Sequence, residues 1–320
     1  MCGVCSARKA EVTFFFGEFF GSRNMNLNFF KYILALLIFG SNGIVASFIA
    51  LTSYEIVFFR TMIGALFLIL LFVGIRKKPQ FPAYRKETLF VVISGVAMGI
   101  CWMFLYEAYA QVGVSIASLA YYCGPVLVMI AAPIIFREKL HLSIIAGFAA
   151  VLLGMLFVNG GDLLTGGMSF GLFCGIMSAV MYAVMLIFNK KAVHINGLEN
   201  PMIQLTSSFI TVAVFTLAYQ GLSFQIPAGS ILPLLFLGVV NTGFGCYLYF
   251  SAIGNLSVQT VAIVGYLEPL SALVFSAVIL SEHLGFIQVI GAALILGGAM
   301  FGEMFSHKKL PWKKEKEDTL

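Results

Sequence analysis

Three polar groups sit inside apolar runs where water does not reach them. Glu268 lies in VAIVGYLEPLSALVF, Arg60 in EIVFFRTMIGALF, and Asn42 in LLIFGSNGIVASF. A charged side chain at the centre of a hydrocarbon layer costs about 2.5–3.5 kcal/mol on insertion scales. It persists there when it pairs, binds a solute or moves a proton. Glu268 follows Ser257 by eleven residues, which places it about 16 Å into a core roughly 30 Å thick. Its carboxyl can handle solute or protons, or can pack as a neutral acid bonded to a neighbouring helix. Arg60 stays charged and needs a carboxylate, carbonyls or an anionic ligand. The alternative is an anchor reaching the nearer membrane surface. Glu55 is five residues away, about 140° round a helix, and so does not share its face. Asn42 can bond a solute or tie helices together, as can Asn241.

These residues recur in a pattern. Sliding the chain by 144 positions lays the second half on the first without a gap: Tyr122 meets Tyr266, Pro125 meets Pro269, Glu138 meets Glu282, Gly147 meets Gly291, and Gly154 meets Gly298. Arg60 meets Gln204, so both copies keep a polar group there, whereas Glu268 meets Gly124, one half offering a carboxyl and the other space. Pro125 and Pro269 remove a helix bond at matching depth and free the carbonyls of Tyr121 and Gly265, which makes them candidate hinges. Tyr122 and Tyr266 stand beside them and are candidate binding residues. Trp102, Tyr106 and Tyr109 recur at helical spacing and either line a pocket or pack. Glu138 and Glu282 are assigned to helix entry, where a carboxylate suits the amino end.

The elements that must position these groups are membrane helices. Hydrophobic residues make up 60% of the 320 and charged ones 10%, against about a quarter charged in an ordinary soluble domain. Ten stretches are long and apolar enough to span: 29–50, 54–75, 88–109, 114–136, 141–159, 169–188, 201–220, 229–252, 257–280 and 284–306. With the amino terminus cytoplasmic, 18 of the 19 basic residues fall on the inner side and only Arg60 does not; both termini are then inside. Five helices per copy invert the second copy, and its loops lose their charge accordingly. The run Arg76–Lys86 corresponds to QGLSFQIPAG, and REKL becomes SEHL. The expected fold is therefore an all-α membrane protein of ten transmembrane helices in two inverted five-helix repeats. Its parts are a tail at 1–28, a first repeat at 29–160, a second at 169–306 and a basic tail at 307–320. Met25 is the expected native start, leaving 1–24 as an upstream extension.

Catalytic constellations do not appear. The four histidines lie at helix ends or in the tail, with no HExxH, no phosphate-cradling GxxxxGK[ST] and no serine–histidine pairing. One isolated CxxC, Cys2 and Cys5, is a weak metal signal. No catalytic residue, metal or cofactor is expected. The positive charge reads as topology rather than as a nucleic-acid footprint.

The segments ASLAYYCGPVLVMIAAPIIFREKLHLSIIAGFAAVLLGMLF and VQTVAIVGYLEPLSALVFSAVILSEHLGFIQVIGAALILGGAMF resemble the two copies of the EamA repeat of the ten-helix drug/metabolite transporter superfamily. FGSN in helix one and Arg60 in helix two also match. Helix six departs by reading MYAVM, without the Trp often found near there. The resemblance implies a carrier of the inner membrane working by alternating access, often an exporter. On this reading the chain is a monomer in the lipid bilayer, moves a small organic solute such as an amino acid, exchanges protons, and binds no nucleic acid. The solute and coupling candidates are Glu268, Arg60, Asn42, Tyr122, Tyr266, Trp102 and Gln204. A lipid flippase or scramblase is the alternative, and an intramembrane enzyme a weaker one.

Overall fold

Helical backbone accounts for each of the ten expected stretches in a computed structural model that describes residues 23–76, 79–137, 142–159, 170–221, 224–279 and 285–306. The elements are α1 Arg23–Gly40, α2 Asn42–Ser47, α3 Ser53–Ile75, α4 Arg85–Tyr121, α5 Gly124–Ile135, α6 Leu142–Asn159, α7 Phe170–Lys190, α8 Glu199–Gln220, α9 Ala228–Phe236, a π-helical segment Leu237–Phe244, α10 Gly245–Ile253, α11 Val258–Val264, α12 Leu267–Ile279 and α13 Phe286–Ser306. Among the described residues there is no strand. Among the described residues six helices are long and apolar enough to cross a membrane, and Gly124–Ile135 and Ile145–Gly154 are shorter apolar ones. Glu138, Glu282, His141, His283, the proposed extension as far as residue 22 and the tail from 307 lie outside the described residues.

Large apolar side chains cover the outside. Leu70 is 72% exposed, Ile134 81%, Leu232 76% and Val278 74%. They belong to four different helices, and a surface this apolar suits lipid rather than water.

The expected break between helices three and four is not visible as a loop, because helical backbone runs through Arg85–Tyr121. The packing nevertheless shows a reversal. A Cβ at Gly175 would meet both Ala108 and Ala120 within 4 Å, although twelve residues of straight helix span about 18 Å. Before the bend, Ser94 bonds Met185 O at 2.6 Å and Cys101 bonds Ser178 O at 3.2 Å. After it, Gly124 touches Tyr182 and Ala179. The chain therefore runs first against α7 and then along it, turning between Ala108 and Ala117.

Each copy's first helix packs in the other copy. Helix α7, from the second, lies on α4 and α5, while α1, from the first, lies on α10 and α12. Tyr32 donates to Val261 O at 2.7 Å and Ser271 to Leu36 O at 3.4 Å. The last helices of the copies cross at repeat mates. A Cβ on Gly154 would stand 2.6 Å from Gly291 O, and one on Gly298 would stand 2.5 Å from Gly147 O. Only hydrogen fits at either point, so two pairs of matched glycines form one reciprocal contact between α6 and α13.

The two ends of the bundle differ in chemistry. At the basic end Glu199 accepts the backbone N–H of Gln80 at 2.9 Å and of Phe81 at 2.6 Å. His194 there pairs with Glu87 at 2.6 Å and stacks on Tyr84, and Lys190 donates to Leu256 O. At the other end Phe58 stacks on Phe224 at 4.9 Å, and Tyr54 packs on Phe215 and Tyr219 at 5.6 Å.

Candidate functional site

Between the two copies lies a cavity of about 320 Å³, whose walls include Asn42, Arg60, Trp102, Tyr106, Tyr122, Tyr182, Tyr249 and Glu268. Five of the seven solute and coupling candidates, Asn42, Arg60, Trp102, Tyr122 and Glu268, therefore meet in one place, and Tyr106 joins them. They come from α2, α3, α4, the turn before α5, and α12. Tyr182 and Tyr249 line the cavity on the basic side, their hydroxyls 3.3 Å apart. Gly43, which is exposed, lines it towards the other end.

Arg60 is only 3% exposed. Its Nε donates to Thr242 Oγ1 at 3.0 Å, its Nη1 donates to the Tyr106 hydroxyl at 3.2 Å, and its Cζ lies 4.7 Å from the centre of the Trp102 ring. Among the described residues no carboxylate reaches ion-pair distance of it. The charge is thus oriented by two hydroxyls and a ring face, and none of these neutralises it. Surface snorkelling does not describe this geometry.

Glu268 stands in the first turn of α12, just after the break at Gly265 and Tyr266. Its backbone is tied, with N–H to Gly265 O at 3.1 Å and its own carbonyl accepting from Ser271 at 2.8 Å. Its carboxyl oxygens take no hydrogen bond from any described residue. Asn42 contributes a second such group: its Oδ1 is buried without a partner among the described residues. Polar atoms in this state are costly in an apolar setting unless a ligand or water satisfies them.

The other candidates are placed differently. Gln204 is 0% exposed and belongs to a buried network, accepting from Asn189 at 3.1 Å and reaching Met98 Sδ at 3.8 Å. Met98 lines the cavity and Gln204 stands behind it. The physical reason is local: Asn189 offers Gln204 a donor, whereas Arg60, at the matching position, can only donate and finds its acceptors in Thr242 and Tyr106. Tyr266 is also fully buried, its hydroxyl donating to Tyr122 O at 2.6 Å. It ties the two breaks together and does not face the cavity. Pro125 and Pro269 do not kink continuous helices; they stand in the first turns of α5 and α12, after two-residue breaks. A missing N–H costs nothing there. The carbonyl of Gly265, expected to be free, accepts the N–H of Glu268.

Gly124 corrects the idea that one copy leaves space opposite Glu268. A Cβ there would stand 2.7 Å from the Tyr182 ring, so the space is filled by an aromatic side chain from the helix that lacks the usual Trp. Tyr182, Tyr249 and Thr242 are the wall and support residues that sequence reasoning missed. Only Tyr182 carried a signal, its place in MYAVM. Asn241 donates to Ile38 O at 3.0 Å and Ser41 Oγ at 2.8 Å, where α1 breaks before Asn42; it braces that break.

A membrane-embedded bundle of two related copies around a largely apolar cavity that holds a few polar groups is the architecture of a transporter. The family model of the EamA-like transporters matches residues 29–160 and 169–302. The chain belongs to the EamA-like transporter family. It is similar to three proteins of Bacillus subtilis (strain 168), each named an uncharacterized transporter. It is 24% identical to YxxF over 271 residues, which is 84% of this chain and 86% of that protein. It is 26% identical to YoaV over 258 residues, 78% and 87% of the two chains, and 25% identical to YetK over 254 residues, 75% and 74%. One solved structure, described only as the crystal structure of a protein, aligns with a TM-score of 0.72 at 18% identity, over 89% of this chain and 99% of its own. That likeness shows the fold alone.

Proposed function

We propose that this transporter is a secondary carrier that exports a small organic solute, an amino acid or a related compound, across the cytoplasmic membrane by alternating access. The observation that carries the reading is the convergence on one cavity between the repeats of a buried guanidinium, a carboxyl that takes no hydrogen bond from any described residue, and an amide oxygen without a partner among the described residues. A carboxylate on the solute suits Arg60, and an ammonium suits Glu268 and the aromatic walls. Glu268 also offers a site at which a proton can be exchanged for the solute. Both termini are cytoplasmic on this reading, the protein acts as a monomer, and it performs no covalent chemistry.

The test is solute flux into liposomes holding the purified protein. Arg60→Ala is expected to lower uptake of anionic and zwitterionic solutes at least about tenfold, the weight of a charge-assisted hydrogen bond, and to spare neutral ones. Equal loss of both classes together with poor folding would make Arg60 an anchor. Redistribution of labelled lipid with no solute flux would favour a flippase instead.

A further inference from the structure

The acceptor that holds Arg60 is unusual in its backbone. Thr242 is fully buried and lies in the π-helical segment Leu237–Phe244. Its hydroxyl donates to Leu237 O, five residues back, at 2.8 Å. Three threonines in the α-helices reach four residues back: Thr61 to Val57 at 2.8 Å, Thr206 to Met202 at 2.7 Å and Thr211 to Ser207 at 2.9 Å. The longer reach follows from the wider turn, in which backbone bonds also skip five residues. With its proton directed at Leu237, Thr242 Oγ1 presents lone pairs to the Arg60 Nε.

The segment and the helix carrying Arg60 are pressed together through glycines on both sides. A Cβ on Gly64 would stand 3.0 Å from Thr242 Cγ2, and one on Gly238 would stand 2.6 Å from Ile63. A Cβ on Gly64 would also stand 3.1 Å from Gly238 O, so the relative register of Arg60 and Thr242 is set by close approach of the two helices at these glycines. A guanidinium is planar with its donors in a fixed fork. Holding Nε on Thr242 and Nη1 on Tyr106 fixes that plane and directs the remaining nitrogen, which bonds no described residue.

We propose that Thr242, set in place by the π-helical segment, is the positioning residue that aims Arg60 at the carboxylate of the solute, and so sets the preference for carboxylates over neutral analogues. The proposal rests on the reading of Arg60 as the solute's anchor. Neutral solutes of the same shape need no aimed guanidinium and do not depend on Thr242.

The test is equilibrium dialysis of the purified full chain in detergent against radiolabelled hexanoate and hexanamide, which share a chain and differ in the charged end. The parent protein is expected to prefer hexanoate. Thr242→Val keeps the shape and removes the hydroxyl; it should weaken hexanoate about tenfold and leave hexanamide unchanged. Thr242→Ser should restore the parent preference, and Thr242→Ala replaces the valine variant should that one misfold. If the variants without a hydroxyl keep the parent's ratio while Arg60→Gln collapses it, Thr242 only packs and the anchor survives. If Arg60→Gln keeps the ratio, or the parent binds no hexanoate at millimolar concentration, the anchor itself fails and the proposal falls with it.

Discussion

Glu268 and Arg60 face one cavity without forming an ion pair, and this decides how each can act. A neutralising pair would make both structural, since a buried pair broken on one side is strongly unfavourable. Apart, each is free to take a partner from the solute or from water. Replacing Glu268 by Gln keeps the shape and removes the ionisable group. Flux through Glu268→Gln in liposomes is expected to be insensitive to an imposed pH gradient, with the apparent melting temperature of the protein unchanged. A variant that still responds to the gradient as the parent does would assign the carboxyl to packing. Asn42 and Tyr122 share the cavity wall, whereas Gln204 and Tyr266 are committed to Asn189 and to the Tyr122 carbonyl.

At the scale of elements, the breaks matter as much as the helices. Short turns at Ser41, at Tyr122 and Cys123, and at Gly265 and Tyr266 interrupt spans and bring Asn42, Tyr122 and Glu268 to the cavity. Non-helical backbone at this depth is tolerated because it is buried in protein and its groups are satisfied. The crossing of α6 and α13 gives a sharp test of close packing. Adjacent residues Gly297 and Gly298 differ completely: a Cβ on Gly297 meets nothing within 4 Å, while one on Gly298 meets Gly147 O at 2.5 Å. The same change, glycine to alanine, should therefore leave stability unaltered at Gly297 and cost about 1–3 kcal/mol at Gly298. Thermal unfolding in detergent measures both; equal effects would mean that the crossing is loose enough to yield.

At the scale of the molecule, inversion places equivalent residues of the two copies at opposite ends. The loop with Val193 belongs to the basic end, and Gly229, in the first turn of α9, to the other. Both residues are exposed. Single cysteines introduced there, in a background without the native ones, report orientation. Val193→Cys should react with a membrane-impermeant maleimide only from the cytoplasmic side, and Gly229→Cys only from outside. The reverse pattern would overturn the cytoplasmic placement of the termini, and with it the assignment of the basic end as the inner one. The exchange of first helices between copies has a further consequence: α1 and α7 each pack in the opposite copy, so relative motion of the halves involves these two helices as well as the α6–α13 crossing.

The sequence alone determined the membrane spans, the duplication, its inversion, and two charged residues inside apolar runs. All of these rest on local quantities: hydropathy per residue, loop charge and the cost of placing an ion in hydrocarbon. The candidate site was legible to the extent that such costs mark residues one at a time. Which of them meet was decided by the tertiary structure. Gln204 turned away because Asn189 offered it a donor from another helix. Gly124 was filled by Tyr182, and the matched glycines of α6 and α13 acquired a purpose only when they met across the bundle. Thr242 became the support of Arg60 because a wider helical turn, pressed against Ile63 and Phe67, changed the direction of one hydroxyl. None of these is a property of a segment by itself. Each depends on the direction in which a side chain points once a second helix has packed against it.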